Sequence, residues 1–363
     1  MSDLAVILPL WQRLQQAGSE YVLATVVAVE GSGYRKAGAM MLIAPDGHRA
    51  GTISGGCLEA EVARKAFWHT EGGPIVRKYS TQSEDGEVPY GTGCGGIVHI
   101  LLERSASAAP FLAHLGAAFQ ARIPCAVATV LSGPALGQRG FSSSPIPSAL
   151  DALADCCLQG HRSFDATLPA PDTTPVRVQY YRARPALHIF GAGDDVLPLV
   201  RFAGELGWLL TVSDGRSNLA TAARFPAAHS VTVLTPGALP LPATQPTDAA
   251  VVMTHSLDQD TRILATLLET PLTYLGVLGP ARRTRDILES IATAHNLTGA
   301  ALGAQVDAWL ARIHAPMGLD LGGNSPATIA LEIISEIQQI LAAGTAKPLH
   351  HLRGAAVSSL GEL

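Results

Sequence analysis

Apolar and polar residues alternate along the first part of the chain in the two-residue rhythm of β-strands. An apolar-periodic stretch at residues 4–14 precedes the first of these strands, and glycine-rich turns interrupt the later ones. This order favours a mixed α+β domain. We therefore predict an α+β domain over residues 1–140. The expected strands are residues 21–29, 39–44, 49–53 and 97–102.

Beyond residue 185 the pattern changes to apolar strands separated by segments of helix length. This alternation is typical of a Rossmann-like, doubly wound parallel sheet, and it places the chain in the α/β class. We predict this second domain over residues 186–345. The expected strands are residues 186–190, 208–213, 230–234, 249–254 and 272–278.

The last helix of the second domain has the clearest boundaries. Asn324 or Ser325 can cap it, Pro326 takes the first helical position, and Gly344 is expected to end it. Apolar residues recur on one of its faces, which indicates packing against a core. These residues are Ile329, Ile333, Ile334, Ile337, Ile340 and Leu341.

Length and composition support two folded domains. A chain of 363 residues exceeds the size at which one core usually keeps growing. Residues 141–185 are rich in Pro, Ser and Thr, so we expect a connecting segment there with a few short strands, and residues 346–363 form a predicted C-terminal tail. Apolar residues make up 47% of the chain and charged residues 15%, as in globular proteins.

Charge and cysteine usage exclude several classes of function. The net charge is −5 and basic residues form no stripe, so nucleic acid is an unexpected partner. No basic leader opens the chain and no apolar run reaches the ~20 residues that span a bilayer, so we expect a cytoplasmic protein. The five cysteines then predict reduced thiols, and their spacing predicts no structural zinc site.

A glycine turn opens the second domain in the context of a dinucleotide-binding fingerprint. Gly191 and Gly193 lie between a strand and a helix start, where backbone N–H groups can approach a phosphate. Asp214 ends the next strand, where a ribose hydroxyl would bind. The third glycine position is Val196, however. The turn is therefore either a phosphate or cofactor site or a purely structural feature of the fold.

Other polar residues are expected at the same edge of the parallel sheet. Asp194 and Asp195 place negative charge at the turn and would repel a pyrophosphate. His255 follows a strand at its carboxyl end, where open α/β sheets bind ligands, so it either takes part in catalysis or makes a structural hydrogen bond. Arg282, Arg283 and Arg285 follow the last strand and either meet phosphate or cover a helix face.

Two cysteines lie in glycine-rich turns of the first domain. Cys57 follows Gly55 and Gly56 and precedes a predicted helix, whose positive end would lower the pKa of its thiol. Cys94 is flanked by Gly93 and Gly95. Thiolates here could contact a soft metal or sulfur, or both residues could simply fill space. Filling space is the expected role of the three remaining cysteines, Cys125, Cys156 and Cys157.

A polar loop between the first two predicted strands contains Arg35. The loop spans residues 31–38, and its guanidinium and backbone N–H groups could hold an anion. The alternative is a solvated hairpin tip.

Taken together, these motifs resemble the XdhC/CoxI family of xanthine dehydrogenase accessory proteins. The resemblance covers most of residues 20–342. The motifs that carry it are Gly31-Ser32 with Arg35, Gly38-Ala39 with Met41, residues 51–59, Gly93 to Gly96, residues 189–193, Asp214 to Arg216, Thr254-His255 with Asp260, residues 274–279 with Arg282-Arg283, residues 315–322 and Pro326 with Glu336.

The resemblance implies a non-enzymatic maturation factor. Such proteins bind molybdenum cofactor (molybdopterin) as cargo, assist its sulfuration and deliver it to a xanthine dehydrogenase-type molybdenum hydroxylase, working as dimers and in some cases with a cysteine desulfurase. The two domains would then face a shared cleft, with Cys57 and Cys94 as metal or sulfur contacts. The cofactor-binding residues implied are Arg35, Gly55, Gly56, Cys57, Cys94, Gly191, Gly193, Asp214, His255 and Arg282.

Two other functions stay open at the level of sequence. The glycine turn with Asp214 suits an oxidoreductase that uses NAD(P) or FAD in the Rossmann-like domain. A protein-interaction adaptor without a working cofactor site is the third hypothesis.

Overall fold

A computed structural model describes residues 2–56, 58–80, 96–145, 147–168, 173–235 and 244–352 of the chain. The chain divides into two compact units, residues 1–184 and 185–363. None of the helices in the described ranges is long and apolar enough to cross a membrane.

The first unit alternates helices with antiparallel strands. Its first sheet has the order β3-β2-β1-β5-β4, and every neighbouring pair is antiparallel. The elements of this part are α1 (Ser2–Gln16), β1 (Val22–Glu30), β2 (Met40–Ile43), β3 (Arg49–Gly51), α2 (Glu59–His69), β4 (Ile75–Ser80), β5 (Ile97–Arg104) and α3 (Ser105–Ala121).

Helices cover both faces of this first sheet. Leu23 and Leu42 point to one face and pack with α1 and α3, whereas Val22 and Met41 point to the other and pack with α2. Neighbouring residues of a strand face opposite sides, so burial on both sides requires apolar residues at nearly every position. This explains why β1 is continuously buried over its first six residues.

A second antiparallel sheet completes the first unit and extends into residues 141–184. Its order is β7-β6-β9-β8, and α4 packs on it. Glu103 at the end of β5 forms a buried, two-pronged ion pair with Arg139 of β7, which joins the two sheets. The elements are β6 (Cys125–Val130), β7 (Arg139–Phe141), α4 (Ala149–Gly160), β8 (Phe164–Leu168) and β9 (Thr174–Tyr181).

The segment that we expected to connect two domains therefore contributes a helix and two sheet strands. Its Ser and Pro residues mark ends of elements: Ser148 caps α4 with a capping box, and Pro175 lies in β9 against the edge strand β8. A segment rich in Ser and Pro can therefore contain the ends of helices and strands as well as a linker.

The second unit contains a parallel sheet of order β12-β11-β10-β13-β14. This is the arrangement of a Rossmann domain, and it confirms the predicted fold class. The elements are β10 (Ala186–Phe190), α5 (Val196–Glu205), β11 (Leu209–Asp214), β12 (Ser230–Val233), β13 (Ala249–Val252), α6 (Leu257–Leu267), β14 (Tyr274–Val277), α7 (Ala281–Ala294), α8 (Gly299–Leu310) and α9 (Pro326–Ala342).

Two apolar cores sandwich the parallel sheet. One contains residues of α5 and α9, and the other contains residues of α6, α7 and α8. Helix α9 begins as predicted, with Ser325 as its cap and Pro326 in its first turn. It ends one residue earlier than expected, because Ala343 adopts the left-handed conformation that the sequence suggested for Gly344.

Candidate functional site

Three loops of the first unit meet at one place beside the first sheet. Gly96 lies so close to the β1–β2 loop that a Cβ atom there would be 2.2 Å from the carbonyl oxygen of Ser32. On the other side of the same loop, the ring of Tyr34 lies beside Gly55, where a Cβ atom would be 3.5 Å from the ring. Only glycine, which has no Cβ atom, can lie this close to the Ser32 carbonyl at position 96. We name residues 31–38, 54–56 and Gly96 the glycine-loop cluster.

Glu59 holds the Ser54–Gly56 turn of this cluster. Its carboxylate accepts hydrogen bonds from the backbone N–H groups of Ile53 (3.2 Å) and Ser54 (2.8 Å) and from the Ser54 hydroxyl (2.5 Å). The same hydroxyl oxygen accepts from the backbone N–H of Leu58 at 3.2 Å. Burial raises the pKa of Glu59, but the bonds from Ser54 and Ile53 outweigh it, so the pKa falls below its ordinary value.

Arg35 lies in the glycine-loop cluster and forms an ion pair with Asp3 of α1. Gly38 ends the loop with φ +95°, and the Gln179 side chain of β9 packs against it, with its amide carbon 2.9 Å from where a Cβ atom would be. The structure thus places Gly55 beside Tyr34, the neighbour of Arg35 in the chain, whereas the Arg35 side chain pairs with Asp3. Cys57 and Cys94 lie outside the described residues.

The glycine turn of the second unit adopts a geometry that only glycine fits. Gly191 has φ +139°, and a Cβ atom there would be 2.4 Å from the carbonyl oxygen of Met253. Its N–H donates to the Ser213 carbonyl at 2.8 Å. Gly193 leads into α5, and a Cβ atom there would be 2.4 Å from an Asp195 carboxylate oxygen. The turn therefore lies between the ends of β11 and β13, at the point where the strand order reverses.

Asp214 is fully buried beside this turn, and both of its oxygens are engaged. One accepts from the backbone N–H of Ala192 at 2.7 Å and from an Arg216 N–H at 2.6 Å. The other accepts from the backbone N–H and Nε of Arg216 at 2.8 and 2.9 Å. Burial raises the pKa of Asp214, but the Arg216 and Ala192 bonds outweigh it and lower the pKa. Asp214 thus holds the turn in place.

The two aspartates of the turn have positively charged or ionisable neighbours. Arg224 donates to Asp194 and to the Ala192 carbonyl at 2.6 and 2.5 Å. His255 Nε2 lies 2.8 Å from an Asp195 carboxylate oxygen. His255 has φ +62°, a conformation rare for residues other than glycine, and it follows β13 by three residues. The predicted Gly191, Gly193, Asp214 and His255 therefore lie together.

Asp260 supports the turn that carries His255. Its buried carboxylate accepts from the Thr254 hydroxyl and from Arg283 of α7, both at 2.6 Å. Arg282 is exposed in the first turn of α7, next to Arg283. Of the three arginines after β14, Arg283 thus braces the fold, Arg282 faces solvent, and Arg285 pairs with Asp307 of α8 at 3.1 Å.

Sequence reasoning did not assign site roles to Glu59, Arg216, Arg224 or Asp260. For Glu59 a local signal existed, because an acidic residue in the first turn of a helix often accepts from the preceding turn. Arg224 had no such signal, since it reaches the glycine turn from 30 residues away along the chain.

The described cysteines have the settings that the sequence predicted. Cys125 is buried in β6, and burial raises the pKa of its thiol to about 12. Cys157 is buried in α4 with a pKa raised by burial to about 11, and Cys156 is exposed on the same helix. Thiols with raised pKa values are poor nucleophiles and poor metal ligands at neutral pH.

Fold and site together define a two-unit protein in which a Rossmann domain, with a glycine turn at its switch point, follows an α+β unit with a glycine-loop cluster. Residues 14–80 match the model of the XdhC and CoxI family, and residues 187–337 match that of the XdhC Rossmann domain. The chain belongs to the XdhC and CoxI family, which confirms the resemblance inferred from its motifs.

Individual relatives agree with this assignment over nearly the whole chain. A probable xanthine dehydrogenase subunit of Bacillus subtilis (strain 168) is 32% identical over 336 residues, 88% of this chain and 93% of that protein. The molybdenum cofactor insertion chaperone PaoD of Escherichia coli (strain K12) is 24% identical over 342 residues, 89% of this chain and 84% of that protein. The crystal structure of a xanthine dehydrogenase from Bacillus halodurans superposes with a TM-score of 0.74 at 29% identity, covering 97% of this chain and 100% of that one.

Proposed function

We propose that this chain is an accessory protein that binds molybdenum cofactor, stabilises it, and assists its sulfuration and its insertion into a xanthine dehydrogenase-type molybdenum hydroxylase. Family membership supports an accessory role. Support for the cargo comes from PaoD, a relative described as a molybdenum cofactor insertion chaperone that aligns with 89% of this chain.

The glycine-loop cluster is the observation that carries the proposal. Gly55 and Gly56 present backbone without side chains, and Gly56, at φ +110°, has open space where a Cβ atom would be. Arg35 adds a guanidinium, which suits the phosphate of such a cofactor. Cys57 follows this turn directly in the chain, and Cys94 precedes Gly96 by two residues. We propose these two thiols as contacts for the metal or for the sulfur it receives.

The second unit contributes through the carboxyl edge of its parallel sheet. The exposed Arg282 and the half-exposed ring of His255 are proposed to contact anionic groups of the cargo. Gly191 and Gly193 let backbone approach it, and Asp214 acts indirectly by holding their turn. In this function the protein carries and delivers its cargo without turning over a substrate.

The proposed partners are the client hydroxylase and a cysteine desulfurase, and the proposed working form is a cytoplasmic homodimer. Light scattering on the purified chain tests the dimer. Co-purification with each partner from cells that express both tests the association, and hydroxylase activity in those cells reports delivery.

The cargo is tested by purifying the chain from cells that make molybdopterin. Molybdenum is measured by mass spectrometry and the pterin by its fluorescence after oxidation. We expect both to co-purify with the wild type, and we expect Cys57→Ser and Cys94→Ser to lower the retained amount because each removes a thiolate donor. Cys156→Ser, which alters an exposed cysteine of α4, is the matched control and should retain the wild-type amount.

Repeated absence of both metal and pterin from the wild-type protein contradicts the proposal. Full hydroxylase maturation in cells by the Cys57→Ser/Cys94→Ser double variant contradicts the thiol role alone.

The dinucleotide-dependent oxidoreductase remains an untested prediction. A backbone donor of the glycine turn, the Ala192 N–H, is already bonded to Asp214, whose oxygens are both engaged. A thermal shift with NAD, NADP or FAD that disappears in Gly193→Asp would favour this function over the carrier.

A further inference from the structure

A cavity of about 670 Å³ lies in the first unit, next to the glycine-loop cluster. One wall is residues 34–40 together with Asp3 and Leu4 of α1, and the opposite wall is residues 161–163 and 179–182 of the second sheet layer. Tyr34 belongs to both features, since it lines the cavity and packs beside Gly55. Small-molecule sites fall in the same range of volume, about 300–1,000 Å³.

The lining of this cavity is strongly cationic in a chain with a net charge of −5. Four cationic side chains line it, and the described lining contains one carboxylate, that of Asp3. The cationic side chains are Arg35, Lys36, Arg162 and Arg182. Like charges repel unless an anion lies between them, so such a concentration in a concave surface favours a bound anion.

Contacts between the two walls and within the second one hold this lining in place. Gln179 of β9 packs on Gly38 of the first wall, and its side-chain NH₂ donates to the Tyr180 carbonyl at 3.2 Å. The Tyr180 ring stacks on His161 with centroids 5.6 Å apart and an interplanar angle of 18°. Asp3 binds Arg35 and so competes with any incoming anion. The cavity therefore has fixed walls and an internal carboxylate that limits anion binding.

We propose that this cavity binds the phosphate group of a phosphorylated ligand, which, if the proposed function holds, is the phosphomonoester end of the molybdenum cofactor. Guanidinium groups pair with phosphate oxygens through two parallel hydrogen bonds, and arginines from both walls line the cavity. Neither family model covers residues 161–182, the wall that supplies Arg162 and Arg182. The proposed subsite therefore combines Arg35, which lies in a region matched by a family model, with Arg162 and Arg182, which lie outside both family models.

Calorimetric titration of the full chain with inorganic phosphate and with phenyl phosphate tests this subsite. We expect both probes to bind, and binding to weaken as ionic strength rises. Arg162→Gln and Arg182→Gln should each weaken binding about fivefold, the size of a charged contact that stays accessible to water. Lys78→Gln, which removes an exposed cation of β4 outside the cavity, is the matched control and should change nothing.

The reverse effect is expected for Asp3→Asn. This change removes the lining carboxylate and its competition for Arg35, so phosphate should bind about threefold more tightly. A misfolded variant cannot bind more tightly, which separates this result from a loss of structure. Wild-type protein that binds neither probe, or an Arg162→Gln/Arg182→Gln double variant with wild-type affinity, overturns the subsite.

Pterin retention and phosphate binding together distinguish an error in the proposed subsite from an error in the proposed function. If the wild type retains pterin and the double variant retains the same amount, the cavity does not hold the phosphate of the cofactor and the carrier function stands. If phosphate binds as expected while neither pterin nor molybdenum co-purifies, the carrier function is wrong and the cavity serves another phosphorylated ligand.

Discussion

Replacing Asp214 with Asn tests whether this residue holds the glycine turn of the Rossmann domain. The carboxylate accepts from the Ala192 N–H on one oxygen and from Arg216 on both, at distances of 2.6 to 2.9 Å. Asn keeps one acceptor oxygen and turns the other position into a donor. At least one N–H group that now donates to the carboxylate would then face another donor, whichever way the amide is oriented.

The expected cost follows from the burial of these groups. A buried donor left without an acceptor costs about 1–3 kcal/mol. Loss of the charge on a pair whose arginine is 39% exposed adds about 1 kcal/mol or less. We therefore expect Asp214→Asn to destabilise the second unit by about 3 kcal/mol, which is the sum of the central value of the first effect and the upper value of the second.

Hydrogen exchange detected by mass spectrometry measures this cost where it arises. The peptide that contains Ala192 should exchange faster in Asp214→Asn by about two orders of magnitude, since each factor of ten corresponds to about 1.4 kcal/mol. Asp258→Asn is the matched control, because Asp258 is 77% exposed and pairs with the exposed Arg262 of its own helix. That variant should change exchange at the same peptide by less than about a factor of two.

The pH dependence gives an independent check. The pKa of Asp214 is lowered in the folded protein, so its carboxylate stabilises the fold above its unfolded pKa, and this stabilisation is lost as pH falls through the folded pKa. The difference between wild type and Asp214→Asn should therefore be constant near neutral pH and shrink in acid. Unchanged exchange at Ala192 in the variant would refute the reasoning.

Two further predictions concern the glycine-loop cluster. Glu59→Gln should destabilise the first unit by about 2 kcal/mol, because it weakens the hydrogen bonds that Ser54 donates to the charged carboxylate. Chemical unfolding measures this loss. The difference in unfolding free energy between wild type and variant should shrink below the ordinary glutamate pKa, since the pKa of Glu59 is lowered in the folded protein. Gly96→Ala should cost about 1–3 kcal/mol in the same assay, because its Cβ would be 2.2 Å from the Ser32 carbonyl. Gly160→Ala, with nothing within 4 Å, should cost nothing, and an equal loss in both alanine variants would contradict the steric argument.

The sequence predicted the parallel sheet more accurately than the first unit. Most of its strands are short apolar runs buried on both faces, and such runs are visible without any knowledge of partners. Strand ends were less certain: the β13 run continues through Thr254, yet the strand stops at Val252, because Thr254 instead bonds to Asp260. In residues 141–184, stretches rich in Pro, Ser and Thr lie between the helix and the strands, so composition indicated a linker there, although β9 runs over eight residues.

For the site, the sequence identified the residues whose type alone limits the backbone. Gly191 and Gly56, whose φ angles are +139° and +110°, could be named because glycines between a strand and a helix mark turns that other residues rarely adopt. Asp214 was identified by position, but its predicted partner was a ribose hydroxyl, whereas the structure pairs it with Ala192 and Arg216. Spacing along the chain shows that a carboxylate lies near a turn and does not show which donors reach it first.

By itself, the sequence determined the fold class and the glycine turns, because hydrophobic periodicity and glycine spacing are local properties that each segment carries on its own. Its motifs, taken in order, carried the resemblance to the family. Only the tertiary structure decided that Gly96 and Gly55 meet the β1–β2 loop, that Arg224 and His255 pair with the aspartates of the Rossmann turn, and that Arg35 and Arg182 line one cavity. Those contacts join residues far apart in the chain, so they depend on how sheets and helices pack and leave no periodic signal in the sequence.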